Sequence, residues 1–438
     1  MVRRFPLESL IYRTKLLSKA QKGKIKMKKV MSKNETKEKE MFLPTDTASV
    51  SLPTEEALMD YFEFRKANDI TGGSLKPGES EKDGKVYCGE CTAIGVADMP
   101  LLNNETRTKC GFTEDDMSDE DIHAAAIDNQ IMLVVPVDDK LRVYPVRYTA
   151  YPDILAQAGI SGWLMNHTFA TKQRGVLAPD VKANWITTGL HLNFGMSHVL
   201  IRDGKVEHFK SDRYQVLPEW EGYDAVKKFL KKEYPNYKYV GGDVSHEYLS
   251  CLIDTEDKDS CLSLAATFKR FGVDVKEVKF CLRYQTSEVG NASMKLIPIF
   301  DIDGVAVPLG DSVDVRHDSG NTIQMFSDKF VKIAEMTKEA EDKVEELGNT
   351  PIKNVDGCFA RIAEKLGLPQ KLIQEEVTQL QLGGGDTAID VYLGLVSVVE
   401  NIMNSTKNVS TYVKNIEAVS KTLSFDFKAY DKPLKDND

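Results

Sequence analysis

Long apolar runs are missing from this chain: the longest, 131 to 137 (IMLVVPV) and 388 to 399, fall well short of the roughly 20 residues that span a bilayer. No contact with a membrane is expected. The basic first 24 residues are not followed by an apolar segment with a small-residue cleavage site, so they do not read as a secretion signal. The seven cysteines (88, 91, 110, 251, 261, 281 and 358) are an odd number without such a signal, which argues against a disulfide framework and for reduced thiols in a cytoplasm. Signatures of the common hydrolases, zinc proteases and nucleotide-binding loops are also missing: there is no G-x-S-x-G, no H-E-x-x-H and no Walker sequence. No internal repeat stands out.

What is there is an ordinary globular composition, 42% hydrophobic and 28% charged, on 438 residues, enough for two to three domains with substantial cores. Charge is unevenly placed. Residues 1 to 40 hold thirteen of the 57 Lys/Arg and only four of the 67 Asp/Glu, so the rest of the chain is more acidic than the net charge of -10 conveys. An acidic body repels a phosphate backbone at long range and confines any nucleic-acid site to a local basic patch. Residues 1 to 50, rich in Lys, Glu, Ser and Thr, read as a disordered basic arm. Met27 and Met31 lie in MKKVMSKNETKEKE, which reads as a start, so 1 to 26 are expected to be an upstream extension or part of that arm.

The pattern predicts an α+β fold: an N-terminal α+β unit (51 to 150), an antiparallel sheet-rich central domain with hairpins (151 to 320), a helical C-terminal region (321 to 425) and a polar tail (426 to 438). Thr54-Glu55-Glu56 opens a helix to about Asn68, and Ser118 with Asp121 opens another. The clearest local signal is SHVLIR, Asp203-Gly204, KVEHFK, a hairpin with a preferred turn dipeptide. From Asn321, Ile323, Phe326, Phe330, Ile333, Met336, Ala340, Val344 and Leu347 recur at three- and four-residue steps and predict one long amphipathic helix. Gly383 to Gly385 read as a helix break with Asp386 capping the next helix, and Asp301-Ile302-Asp303-Gly304 as a turn between strands.

Three constellations carry chemistry. Cys88-Gly89-Glu90-Cys91 with Cys110 offers three thiolates for zinc, with His123 as a fourth ligand, against the plainer reading of structural thiols. The stretch 202 to 239 combines basic and aromatic residues as single-strand binders do, with Arg202, Lys210, Arg213, Tyr214, Lys227, Lys231 and Tyr237 as candidate contacts to single-stranded DNA. It also holds seven acidic residues against nine basic, which fits a solvated helix face with tyrosines in the core. Glu288, Arg316 and His317 could perform acid-base catalysis if the fold brings them together.

The order SDRY (211 to 214), TSEVGNASMKLIPIF (286 to 300) and RHDSGN (316 to 321), with DTAIDVYLGLVSVVEN (386 to 401) further on, resembles the uncharacterised phage/plasmid-like protein family, a domain of unknown function found in bacteriophages and plasmids. The resemblance covers about half the chain. It implies that Ser211, Arg213, Tyr214, Ser287, Glu288, Gly290, Arg316 and His317 occupy the family's recurrent polar positions. Asp301-Ile302-Asp303-Gly304 departs from the family's Cys-Asn-Gly-like turn, so no role of that thiol or amide transfers. A mobile-element setting is implied and no reaction. Three functions follow as expectations: an accessory protein that binds or anneals single-stranded DNA, an enzyme with a Glu/Arg/His site, or a non-catalytic assembly or host-interaction protein using the 321 to 347 helix.

Overall fold

The computed structural model describes residues 48–72, 85–95, 131–137, 140–160, 179–273, 275–406 and 409–434. The fold is α+β. Strand β1 (Ser49–Leu52) leads into helix α1 (Glu55–Asn68). Thr54 sets its start by accepting from the Ala57 amide at 3.1 Å, and acidic Glu55 and Glu56 and basic Arg65 and Lys66 sit at the ends of the helix dipole that favour them.

The chain then leaves to build a second body. It comprises β2 (Ile70–Gly72), β3 (Lys85–Tyr87), a 3-10 turn over Cys88–Glu90, β4 (Thr92–Gly95), the hairpin β5 (Ile131–Val137) and β6 (Lys140–Pro145), helices α2 (Tyr151–Gln157) and α3 (Pro179–Leu192), and the hairpin β7 (Met196–Arg202) and β8 (Lys205–Ser211). This last hairpin is the one that Asp-Gly predicted: Asp203 (φ 50°) and Gly204 (φ 71°) take the left-handed conformations a two-residue turn needs. β8 lines one edge of β7, with β2 and β3 end to end on the other, while β4, β5 and β6 form a separate three-stranded sheet.

Past β8 the chain returns through α4 (Glu219–Glu233), β9 (Lys238–Ser245), β10 (Leu249–Asp254), α5 (Lys258–Arg270), β11 (Val278–Thr286), β12 (Met294–Ile302), β13 (Val305–Pro308) and β14 (Val313–Val315). The main sheet runs β1-β9-β10-β11-β12-β13, antiparallel throughout, with β14 following β13 along the edge of β12. Alternation sets its buried face: Leu249, Cys251 and Ile253 point into the core and the residues between them do not. Asp303 (φ 53°) and Gly304 (φ 89°) make a second tight turn, so the Asp301 to Gly304 reading as a turn holds.

The C-terminal region is helical: α6 (Ile323–Ser327), a 3-10 turn over Asp328–Lys332, α7 (Ile333–Gly348), α8 (Val355–Lys365), α9 (Gln370–Gly383), α10 (Ala388–Thr406) and α11 (Val409–Lys421). The single long helix expected from 321 is thus three pieces. Apolar residues three apart suit the 3-10 and the α geometry equally, and here Phe326 and Phe330 meet edge to face at 4.8 Å across the break. Its apolar stripe is buried in the molecule's own core, so the helical interface expected there is already covered. The start of α10 also differs in detail from expectation. Gly384 (φ 65°) closes α9, and the carboxylate of Asp390, not Asp386, accepts from the Asp386 and Thr387 amides at 3.0 and 2.9 Å. The tail is docked as far as it is described: Phe427 is buried, and Asp431 accepts from the Lys353 and Asn354 amides at 2.9 and 2.8 Å.

Among the described residues the apolar side chains form two large cores and a small cluster of Cys281, Ile297 and Ile299. The main one takes Leu52 to Phe62 and then runs from Leu217 to Phe427; the second spans Val86 to Phe209. The second body is therefore an insertion between α1 and α4. The boundary expected at 150 does not divide these cores, because Leu58, Tyr61 and Phe62 pack under α4 whereas α2 and α3 belong with the inserted sheets. Close approach of α4 to the main sheet depends on Gly222: a Cβ there would lie 2.4 Å from both the Met294 sulfur and the Tyr284 hydroxyl. Gly222→Ala is expected to destabilise by about 1–3 kcal/mol through overpacking, read as a lower urea midpoint. No helix among the described residues is long and apolar enough to cross a membrane.

Candidate functional site

Where the two cores face each other the layer between them is polar. The last turn of α1, the β7–β8 turn, the start of α4 and the residues after β11 meet there. Arg202, on the last position of β7, donates to the Asp69 carboxylate at 2.6 Å and to Glu288 Oε2 at 2.6 Å. Arg65 donates to both oxygens of Asp203 at 3.0 and 3.3 Å. Glu288 Oε1 accepts from the Glu219 backbone amide at 3.2 Å, and the Tyr284 hydroxyl donates to the Glu219 carbonyl at 2.7 Å. Buried charges persist only when each finds opposite charge and hydrogen bonds, and Arg202 and Glu288 both meet that condition.

Beside this network lies an aromatic cluster. Tyr214 donates to the Glu288 carbonyl at 2.6 Å, and His208 Nδ1 donates to the same carbonyl at 2.8 Å, which fixes its tautomer. Three of the seven histidines surround Tyr214: His317 stacks on it at 5.4 Å and 4°, with His208 at 5.3 Å and His198 at 6.3 Å edge on. Burial pushes His208 down to about 3 and His317 down to about 4, so both rings are neutral at physiological pH. Segments about 100 residues apart in sequence therefore converge: the Gln215 amide donates to the His317 carbonyl and the Ser319 amide to the Arg213 carbonyl. A second tie lies further along β8, where the fully buried Glu207 joins Arg147 at 2.7 Å and His246 at 3.0 Å.

The catalytic expectation fares unevenly. Glu288, through its backbone carbonyl, and His317, through its ring, both contact Tyr214, whereas Arg316 is exposed and gives its carbonyl to Asn321. Both carboxylate oxygens of Glu288 are engaged within the fold. The nucleic-acid expectation loses most of its residues to internal partners. Arg202 is buried in the seam, and Lys210 pairs with Asp153 at 2.9 Å. Tyr214 is held under His317, and Lys227 and Tyr237 both bond Glu55, at 2.7 and 3.3 Å. Arg213 and Lys231 are exposed. Cys88 and Cys91 lie in the second core, Cys88 Sγ 3.1 Å from the Ser197 hydroxyl and Cys91 donating to the Tyr87 carbonyl, and burial raises both thiols. Cys110 and His123, and the helix expected after Ser118, lie outside the described residues. Among the described residues no group of three metal-binding side chains forms.

Sequence reasoning missed Asp69, Glu219 and Arg65. Arg65 and Glu219 sit at helix ends whose dipoles favour them, Asp69 merely follows the last turn of α1, and only the long-range pairing turns the three inward.

On the surface, α4 and the 323 to 331 segment enclose a groove of about 880 Å³, within the size range of ligand pockets. Half-buried Phe229, packed on the buried Phe330 at 5.1 Å, supplies aromatic surface in it. Glu221, Asp224 and Glu233 line it with Lys228 and Lys232, and Val331 and Met325 stand exposed on the same segment.

The chain matches no protein-family model, no curated protein and no solved structure.

Proposed function

We propose that the protein acts by binding a polypeptide partner, without chemistry of its own, as an accessory or assembly factor in the mobile-element setting that the sequence resemblance implies. The observation that carries this reading is the closed state of the seam: Glu288, Arg202 and Lys210, the charges best placed for catalysis or phosphate binding, are already joined to partners within the fold. A general acid or base needs a proton it can exchange with a substrate, and Glu288 offers neither oxygen.

The α4 groove supplies the binding surface. Its acidic groups outnumber its lysines by three to two, which disfavours a polyanion and suits a segment that lays apolar side chains on Phe229 and Val331 and presents basic ones to Glu221, Asp224 and Glu233. The test is fluorescence anisotropy with two probes, a labelled Leu/Lys amphipathic helical peptide and a labelled single-stranded oligonucleotide, each at two salt concentrations. The peptide is expected to bind, and Val331→Glu, at an exposed position, to weaken it by about tenfold or more. Steeply salt-dependent oligonucleotide binding that falls in Lys231→Ala and Arg213→Ala would favour the single-stranded DNA reading instead. Peptide binding indifferent to Val331→Glu would remove the groove from the reading.

A further inference from the structure

The ion network of the seam has an unequal charge count. Two guanidiniums, Arg65 and Arg202, face four carboxylates, Asp69, Asp203, Glu219 and Glu288. Three of the four are matched: Asp203 by Arg65, and Asp69 and Glu288 by Arg202. Glu219 is the odd member. Its side chain is buried, and Oε1 has no hydrogen-bond partner. Its backbone, in contrast, is held from both sides, by Glu288 through the amide and by Tyr284 through the carbonyl. The remaining titratable groups around it are Tyr61 on α1, Tyr284 on β11 and Cys251 on β10. Burial raises all three, so they stay neutral through the physiological range and add no compensating charge.

We infer that the seam is a proton-controlled latch, in which a protonated Glu219 lets the inserted body close against the main sheet and loss of that proton loosens the contact while each apolar core stays folded. The geometry supports a local response. The cores lie on opposite sides of the charged layer, each with its own sheet, and polar interfaces between bodies of one chain open more readily than apolar ones. The chemistry supports the direction. Burial first, and then repulsion from Glu288, push the Glu219 carboxyl up to about 8. A carboxyl raised in the closed form costs nothing below its ordinary value near 4.5, and closure weakens as pH climbs from there through about 8.

Hydrogen exchange of the intact chain, read by mass spectrometry between about pH 5.5 and 8.5 with exposure times scaled for intrinsic exchange chemistry, tests this. Wild-type peptides covering 198 to 211 and 284 to 291 are expected to lose at least about tenfold protection over that span, while peptides covering 358 to 363 and 395 to 399 in the helical core hold theirs. Glu219→Gln, which keeps the shape and removes the charge, is expected to keep the seam peptides protected throughout. Unchanged protection of the wild-type seam, an equal loss in the helical core, or the same loss in Glu219→Gln would each overturn the latch. Should Glu219→Gln fail to fold, the wild-type comparison of seam with core decides by itself.

Discussion

Arg202→Met is expected to cost about 3–5 kcal/mol, a large fraction of the stability of an ordinary domain. The substitution conserves apolar volume and removes the cation between Asp69 and Glu288, leaving the buried Glu288 carboxylate with the Glu219 amide and the half-buried Asp69 with a longer contact to Arg65 at 3.5 Å. The cost comes from stranding those charges more than from the lost attraction, so it depends on what remains around them. Glu288→Gln in the Arg202→Met background should recover part of the loss, because it removes one of the two stranded charges. A double-mutant cycle by urea denaturation checks this. Strictly additive losses would mean that Arg202 and Glu288 do not act together, whatever their 2.6 Å separation.

The second large effect is in acid. Burial alone would raise the Glu207 carboxyl, but attraction to His246 and Arg147 outweighs it and holds the group down to about 2. A carboxylate depressed in the folded state contributes stability that is complete above its unfolded value near 4.5 and is lost as pH falls towards 2. The contribution at neutral pH is about 3 kcal/mol. Glu207→Gln should lose stability of that order at pH 7 and show a flatter acid limb. Urea midpoints from about pH 2 to 7 give both results. Parallel acid limbs for wild type and variant would show that some other carboxylate governs acid unfolding.

The sequence was legible wherever a signal was local. Asp203-Gly204 fixed its hairpin because the dipeptide and its flanking alternation lie within a few residues, and Thr54 fixed the start of α1 for the same reason. The strands that were not foreseen, such as β1 and β2, are short and find their partners far away: Ser49 pairs with Ser245 and Ile70 with Ile201. Nothing in four residues of SVSL names a partner. The candidate site behaves likewise. Glu288 and His317 could be singled out as polar residues in unusual places, but a lysine beside tyrosines reads the same whether it faces solvent or, like Lys227, a glutamate from another helix. Charge on a helix face is a local fact, and its partner is a tertiary one.

The insertion also orders the events of folding. β1 lies at one edge of the main sheet, and its only way to reach β9 is for the chain to bring together residues nearly 200 positions apart. An unstructured loop of that length pays a closure entropy that a four-residue strand cannot offset. Once the inserted body has compacted, its exit and entry are drawn together where Arg202 meets Asp69, and the effective loop shrinks to residues 53–69 and 202–237 joined by that ion pair. The β1 edge should therefore close late, after the inserted body, and slow folding should follow from any change that delays that body even when the main sheet itself is untouched.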